Sequence, residues 1–488
     1  MKKYLALTAV AIALLFLFPG CPEKDTTTPT VKITEPANNA TLTAGNITIK
    51  AVATDDKEMS KVEFWVDGAK KGEDNSPTDD TLYSYTWDAS SAASGAHKIV
   101  AKAFDKSDNT ASDSITITIT GGGGGGGTIH DGGAITSDET WSPVGNPHII
   151  RGDISVENNA TLTILPGCII KFYPDVELYA GYDGPGAIIA NGTPDSTILF
   201  TSNVTTPAPG DWLNVGLYQY AMNTSSFRYC IFEYGGKSTS YPGLFYADGI
   251  TFVKIANCTF RYSGNYGVYL TDDAGFNTFT NNTITNCNQY PLRINAEYVR
   301  TIGTGNNFTG NTINAILVRG GTIHTSGTWV NPGVPYVIES DVDIGDNNTN
   351  PVITIAPGNV IKFQPDVEMY AGYSGAGGLI ADGTSGRIRF TSYVASPSPG
   401  DWYNIGFYEY SIDASSKLIN CTIEYGGGSS SCPGNIYIDD AVPEIVGDSI
   451  GHSANWGIYL EGTQYPNPTQ LVNDNFFYDC PSGAVRIP

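Results

Sequence analysis

The stretch PGCIIKFYPDVELYAGY, residues 166–182, returns as PGNVIKFQPDVEMYAGY, residues 357–373, with 13 of 17 positions identical. Other landmarks recur in the same order. Thr128-Ile129-His130 returns at Thr322-Ile323-His324, and Thr140-Trp141 at Thr328-Trp329. Phe200-Thr201-Ser202 returns at Phe390-Thr391-Ser392, Gly210-Asp211-Trp212 at Gly400-Asp401-Trp402, and Glu233-Tyr234-Gly235-Gly236 at Glu424-Tyr425-Gly426-Gly427. The repeated unit is about 190 residues long, far beyond one solenoid repeat, so each copy must contain several coils.

Inside each copy short apolar-polar runs follow one another with a turn between: ATLTIL, CIIKF, DVELY, AIIA, TILFTS and WLNVGLY in the first. Each offers two or three inward residues, such as Leu162 and Ile164 or Ile170 and Phe172. Asn257-Cys258-Thr259-Phe260, Asn282-Thr283-Ile284 and Asn311-Thr312-Ile313 repeat one polar-apolar signature, with Phe260, Ile284 and Ile313 spaced 24 and 29 residues apart. That spacing is one coil of a parallel solenoid, and it predicts about 15 coils and a rod of about 70 Å from residue 128 onward. These strings resemble secreted bacterial right-handed parallel β-helix proteins of the pectin-lyase-like class. The resemblance covers nearly all of residues 128–488 and implies the fold, but the fold hosts lyases, hydrolases, epimerases, adhesins and spacers alike.

Residues 31–120 read differently. Ile47 and Ile49, then Val62, Phe64 and Val66, then Tyr83, Tyr85 and Trp87, then Ile99, Ala101 and Ala103, then Ile115, Ile117 and Ile119 mark short strands with one buried face. Segments such as KVEFWVDG and HKIVAKAFD resemble the bacterial Ig-like domains found on secreted enzymes and adhesins. The module has no cysteine, so no inter-sheet disulfide supports it. Gly121 to Gly127 is an uninterrupted heptaglycine, read as a flexible linker with a reach of about 15 Å. The expected all-β order is a signal peptide at 1–20, a tether at 21–30, the Ig-like sandwich at 31–120, the linker at 121–127, and β-helix units at 128–318 and 319–488.

Lys2 and Lys3 precede an apolar run at residues 4–18, a secretory signal by length and too short for a membrane span. Phe18-Pro19-Gly20-Cys21 resembles a bacterial lipobox, although Phe18 and Pro19 depart from the usual residues. The resemblance implies cleavage before Cys21, a lipid on it, and an exported outer-membrane or cell-surface lipoprotein. Seven more cysteines, Cys168, Cys230, Cys258, Cys287, Cys421, Cys432 and Cys480, lack zinc or CxxC spacing and read as small buried apolar residues. A net charge of −23 repels phosphate backbones, so nucleic acid is not an expected partner.

Resemblance to the lyases of this class implies an acidic calcium cluster with an Arg or Lys base, and to the hydrolases, convergent aspartates. Lys171, Asp175, Glu177 and Arg293 are available, but Lys362, Asp366, Glu368 and Arg486 repeat them, which points to coil building. Asp272 and Asp273 lack counterparts at 460–463 and are weak candidates for metal ligation. Asp55, Asp56, Asp79, Asp80, Asp105 and Asp108 near turns of the Ig-like module could hold calcium, although turn chemistry also explains them. No other cofactor is expected, and no catalytic residue is assigned. Tyr179, Tyr182, Trp212, Tyr218 and Tyr220 recur as Tyr370, Tyr373, Trp402, Tyr408 and Tyr410, and aromatic faces beside carboxylates suit sugar rings. The expectation is therefore a non-catalytic surface β-helix protein, glycan-binding, adhesive or a spacer, whose partner is an extracellular polysaccharide or cell-surface glycan. A polysaccharide lyase or glycoside hydrolase is the alternative.

Overall fold

The computed structural model describes residues 24–488 except 91, 124–126 and 463. The expectations for the signal and for Cys21 lie outside the described residues. Two compact units part within the glycine run. No helix among the described residues is long and apolar enough to cross a membrane.

The first unit is a sandwich, antiparallel except where Thr41–Thr43 runs parallel to Thr110–Gly123. One sheet orders Thr30–Glu35, Asn46–Thr54 and Leu82–Asp88; the other orders Thr41–Thr43, Thr110–Gly123, Ala93–Asp105, Met59–Val66 and Ala69–Asp74. Every second residue of Asn46–Thr54 is buried, as a strand with one wet face requires. Two boundaries shift from expectation. The last strand runs on to Gly123, which pairs with Ala93, so three linker glycines belong to the sheet. Asp25 and Pro29, assigned to the tether, are buried, and Asn109 Nδ2 donates to the Asp25 carbonyl at 3.1 Å.

The second unit is a three-faced parallel β-helix. Face A opens with Thr128–His130, His148–Ile150 and Ile169–Phe172; face B with Gly133–Ile135, Ile154–Val156 and Leu178–Ala180; face C with Glu139–Trp141, Ala160–Ile164 and Gly186–Asn191. Each strand is three to six residues long and buries alternate side chains into a single core. Phe200, Phe232 and Phe260 stack on face A at 4.5 and 4.7 Å with rings nearly parallel. Burial of each such ring contributes about 1.5–3 kcal/mol. Phe260 pairs with Ile284, confirming the 24-residue coil. The next inward residue is Phe308, another 24 residues on, and not Ile313 as expected. Asn307 bridges to Thr283 and Phe308 enters the core, while Ile313 packs outside the main core.

Asparagines at the coil corner, Asn282 of the NNTI run among them, have a clear role. Asn282 Oδ1 accepts from Cys258 N–H at 2.9 Å, Asn306 Oδ1 from Asn282 N–H, and Asn311 Oδ1 from Cys287 N–H. Each buried side chain satisfies a backbone donor one coil away that bends out of the ladder. No disulfide joins the seven cysteines; Cys168, Cys230, Cys258, Cys287 and Cys421 are buried thiols.

The junction of the two copies holds the main departure from expectation. Face A carries seven strands, Asn307 adds an eighth rung, and the next strand, Ile316–Arg319, pairs with Leu292–Asn295 on face B. The second copy therefore starts one face late. Its Val360–Phe363 and Ile388–Ser392 continue face B, although their counterparts Ile169–Phe172 and Ile198–Ser202 lie on face A. Face B thus runs unbroken through fourteen strands among the described residues, about 60 Å of rod. Every equivalent feature of the second copy is turned by about one third of a turn. The structural offset also unseats one landmark. Gly321–Ile323 occupies the rung equivalent to Gly133–Ile135, so His324 is not the counterpart of His130. His130 stacks on Trp141 and His148 at 4.2 and 5.4 Å, and burial beside His148 pushes its pKa down to about 4; His324 is exposed and pairs with Asp346.

Candidate functional site

The outward positions of successive rungs on face B of the first copy read Tyr179, Gly216, Tyr246, Tyr269, Arg293. On the corresponding face of the second copy, face C, they read Tyr370, Gly406, Tyr437, Tyr459, Arg486. Five consecutive coils thus repeat one outward pattern. The glycine is required by packing. A Cβ on Gly216 would lie 3.0 Å from Tyr218 Cε2, and one on Gly406 would lie 2.8 Å from Tyr408 Cε2, because these tyrosines fold back over the gap.

Around Gly216 the rings build an edge-to-face cluster. Tyr218 meets Tyr179 at 5.6 Å, Tyr182 at 5.1 Å and Tyr241 at 5.7 Å, each near perpendicular. Tyr408 meets Tyr370 and Tyr373 at 5.6 and 5.0 Å, and Cys432 stands where Tyr241 would be, 3.9 Å from the Tyr408 hydroxyl. Tyr218, Tyr246 and Tyr437 are buried beneath this layer; Tyr182 and Tyr373 are 49 % and 62 % exposed, with Tyr179, Tyr241, Tyr269, Tyr370, Tyr408 and Tyr459 half-buried. Arg293 caps the first ladder with its guanidinium 4.7 Å from the Tyr269 ring centre, and Arg486 caps the second 4.4 Å from Tyr459.

At the foot of each cluster runs a polar corner ladder: Asp153, Glu177, Asn214 in one copy and Asp341, Glu368, Asn404 in the other. Asp153 Oδ1 accepts from Glu177 N–H and Asp341 Oδ1 from Glu368 N–H, both at 3.0 Å, and Asn404 donates to Glu368 at 3.3 Å. Burial, then the neighbouring aspartate, pushes both glutamates up to about 7. Glu177 Oε2 and the side-chain oxygens of Asn214 and Asn404 are buried without a hydrogen-bond partner. Burial likewise raises the phenols of Tyr218 and Tyr408, which remain donors across the physiological range.

Several expected site residues are elsewhere. Trp212 and Trp402 are fully buried. They stack on Phe172 and Phe363 at 4.0 and 4.2 Å and donate to the carbonyls of Glu233 and Glu424 at 2.9 Å. A Cβ on Gly235 would stand 2.6 Å from the Trp212 indole, so the repeated tryptophan and Glu-Tyr-Gly-Gly landmarks form one packing unit and no binding surface. Tyr220 and Tyr410, each 52 % exposed, sit in the following turn and add no ring contact to the clusters among the described residues. Asp272 is an ion-pair partner, 2.8 Å from Arg293 and 3.8 Å from Arg319, and no third ligand joins it or Asp273 among the described residues. Lys171 lies outward on face A, Asp175 pairs with Lys237 at 2.6 Å, and Arg293 lies four rungs beyond Glu177, about 19 Å away. No lyase-like convergence results among the described residues.

In the sandwich unit, Asp55 and Asp105 do converge, with Asp25, which sequence reading left in the tether. One oxygen from each lies within 4.8 Å of the others. Asp105 is buried, which alone would raise its pKa, but bonds from the Asn109 side chain and from the Asn109 and Ser107 amides hold it below the usual range. Asp56, Asp79, Asp80 and Asp108 stay outside the cluster; the last three hold left-handed turn conformations.

Sequence reading missed Tyr241, Tyr246, Tyr269, Tyr437 and Tyr459. The signal of the last four was a tyrosine between two buried apolar neighbours at coil spacing, Phe245-Tyr246-Ala247, Val268-Tyr269-Leu270, Ile436-Tyr437-Ile438 and Ile458-Tyr459-Leu460, whereas Tyr241, between Ser240 and Pro242, carried none.

Comparison with known proteins agrees with the two folds. Residues 29–101 match the bacterial Ig domain, residues 133–255 the pectate-lyase-like β-helix domain, and residues 242–354 the right-handed β-helix region. The chain joins a bacterial Ig domain to a right-handed β-helix. No curated protein matches it. Among solved structures, fibronectin(III)-like modules of Clostridium thermocellum CbhA share 33 % identity over 19 % of this chain and 47 % of theirs, with a TM-score of 0.17. The chain therefore spans about half their length. An endo-β-1,4-mannanase from Thermotoga petrophila shares 15 % over 20 % of this chain and 21 % of its own (TM-score 0.18), and an engineered protein 18 % over 19 % and 20 % (TM-score 0.16).

Proposed function

We propose that this chain is an exported, non-catalytic β-helix protein that binds an extended, neutral polysaccharide through its tyrosine clusters and is held at the cell surface by a lipid on Cys21. One observation carries the reading: the Tyr-Gly-Tyr-Tyr-Arg outward ladder, with its exposed Tyr182 or Tyr373, is built twice. Rigid rings already held in place lose little entropy on stacking against a pyranose face, and the protonated phenols and carboxyls at the foot offer hydroxyl partners. The charge of −23 disfavours anionic chains. Affinity electrophoresis in glucomannan, xylan and polygalacturonate tests this. Retardation is expected in a neutral gel only, and the variant carrying Tyr179→Ala, Tyr182→Ala, Tyr370→Ala and Tyr373→Ala should lose about tenfold or more in affinity. Equal retardation of that variant would sink the reading. Cys21→Ala should release the protein from the membrane fraction.

A glycoside-hydrolase reading draws on one feature, Glu177 raised to about 7 beside Asp153. It requires new reducing ends on incubation with those polysaccharides, abolished by Glu177→Gln with Glu368→Gln.

A further inference from the structure

We infer that the two tyrosine clusters take two different polysaccharide chains, so that the protein cross-links glycan. This rests on the polysaccharide reading above and adds its valency. The argument comes from the one-face offset between the copies. The first cluster lies on face B and the second on face C, turned by about a third of a turn. Between the Gly216 and Gly406 rungs lie seven coils and one face, about 35 Å along the rod.

A chain laid along the first ladder and continued straight does not reach the second. Beyond Arg293 the outward positions of face B are Leu317, Val337, Lys362 and Thr391. None is aromatic. Val337 and Leu317 are themselves packed with Tyr290, Ala315, Tyr266, Ile313 and Tyr393 in a separate apolar cluster, joined to Tyr269 of the ladder through Tyr266 at 5.2 Å and locked by a 2.9 Å bond between the hydroxyls of Tyr290 and Tyr393. That closed cluster ends the open ladder on this face. Traced backwards from Tyr370, face C offers Asp343 and Thr322, then the 3-10 turn Ala296–Thr301, whose one ring, Tyr298, packs half-buried against the core beside Gly275, and in the first copy Thr278 and Lys254. A single stiff chain would have to leave one face and wind around an edge to engage both, losing contact over the whole interval. Two chains on two faces keep every contact each cluster offers, and each face is open to a chain of its own.

The test is a two-step capture on the full-length protein without its lipid signal, at a concentration where light scattering gives a monomer mass. Protein is loaded onto immobilised glucomannan or xylan, washed, and offered the same polysaccharide in fluorescent, soluble form. The wild type should load and hold label. The variants Tyr179→Ala with Tyr182→Ala, and Tyr370→Ala with Tyr373→Ala, alter exposed or half-buried rings; each should load through its intact cluster and hold a tenth of the label or less. A wild type that loads but holds no label overturns cross-linking and leaves binding intact. Single-cluster variants that hold as much label as the wild type also overturn it, since the second contact would then lie on another surface. A wild type that loads on neither polysaccharide overturns the binding reading itself, and with it this inference.

Discussion

The two copies of the β-helix unit keep one packing unit and let its surroundings drift. One packing unit is the same in both: Phe172 on Trp212 and Phe363 on Trp402, each indole donating to the carbonyl of the glutamate that precedes Tyr-Gly-Gly. The corners and rims differ. Cys230 N–H meets the Cys258 thiol at 3.4 Å, whereas its counterpart Cys421 N–H donates to the carboxyl of Asp448 at 2.6 Å. Glu233 is held by Arg261 from the following coil, Glu424 by Arg389 from the preceding one. Tyr241 is replaced by Cys432. What the comparison teaches is that the Phe-Trp unit is kept while other inward positions exchange volume, Phe232 for Ile423, Phe260 for Ile450 and Leu217 for Phe407, all fully buried, as a core that stays filled overall allows, and that polar partners can be supplied from either side of a ladder.

The largest effect should come from the packing unit that does not vary. Trp212→Ala and Trp402→Ala each remove a fully buried indole and are expected to cost about 3–5 kcal/mol. Because a stacked array need not unfold in one step, hydrogen exchange resolved by segment is the proper measurement. Protection should fall chiefly in the coils next to the lost ring, and by similar amounts in the two copies. A variant whose loss is confined to one copy at half the cost or less would show that the matching geometry conceals unequal packing.

A smaller effect of opposite sign is expected at the corner. Asp448 is almost wholly buried, its pKa is driven well above the carboxylate range by that burial, and its Oδ2 has no partner. A carboxyl raised in the folded state lends stability that is fully present below its unfolded pKa and is lost as pH rises toward the folded one. Asp448→Asn keeps the acceptor for Cys421 N–H and gains a donor, as Asn282 has toward the Ile255 carbonyl at 3.3 Å. It should raise stability by about 1–3 kcal/mol at neutral pH and by little in acid. Cys258→Asp, the reciprocal change, should lower it. Thermal melts at pH 4 and pH 7.5 decide both, and a destabilised Asp448→Asn would mean that the carboxyl has a function of its own.

Fold and site were legible to different depths. The copy length, the 24-residue coil and the sandwich strands could be read because burial imposes strict alternation on short runs such as 160–164 and 46–54. The one-face offset could not, since it depends on about 190 residues closing at seven coils and one face, and long turns such as residues 203–214 hide the count. Repetition itself misled in one respect. Trp212 and Trp402 recur with a Gly-Asp turn and looked like a stripe, yet a recurring indole in a solenoid fills the core as readily as it faces solvent. Tyr246 and Tyr437 escaped notice for the converse reason: flanked by buried neighbours, they resemble interior residues, and only the pairing register shows them pointing out. Asp25 was invisible because its partners lie 30 and 80 residues away.

The smallest effect concerns Glu177 and Glu368, where the copies agree and should respond alike. Both carboxyls rise from 4.5 to about 7, by burial first and by Asp153 or Asp341 second. The sign follows from the direction. Below pH 4.5 the group is protonated folded and unfolded and its contribution is complete; as pH climbs toward 7 the unfolded chain ionises first and folded stability falls. Neither glutamate is fully enclosed, so solvent screens the penalty, and about 1 kcal/mol per site is the expected size. Glu177→Gln and Glu368→Gln should therefore match the wild type near pH 4, exceed it near pH 8, and flatten the slope between, with the double variant showing the sum because the sites lie seven coils apart. A slope that survives both substitutions would assign the pH dependence to other buried acids, with Asp448 the first to test. If one glutamine variant flattens the slope and the other leaves it, the two feet are not alike, and polysaccharide affinity measured across the same pH range on the single-cluster variants would then show which cluster carries a charged foot at neutral pH.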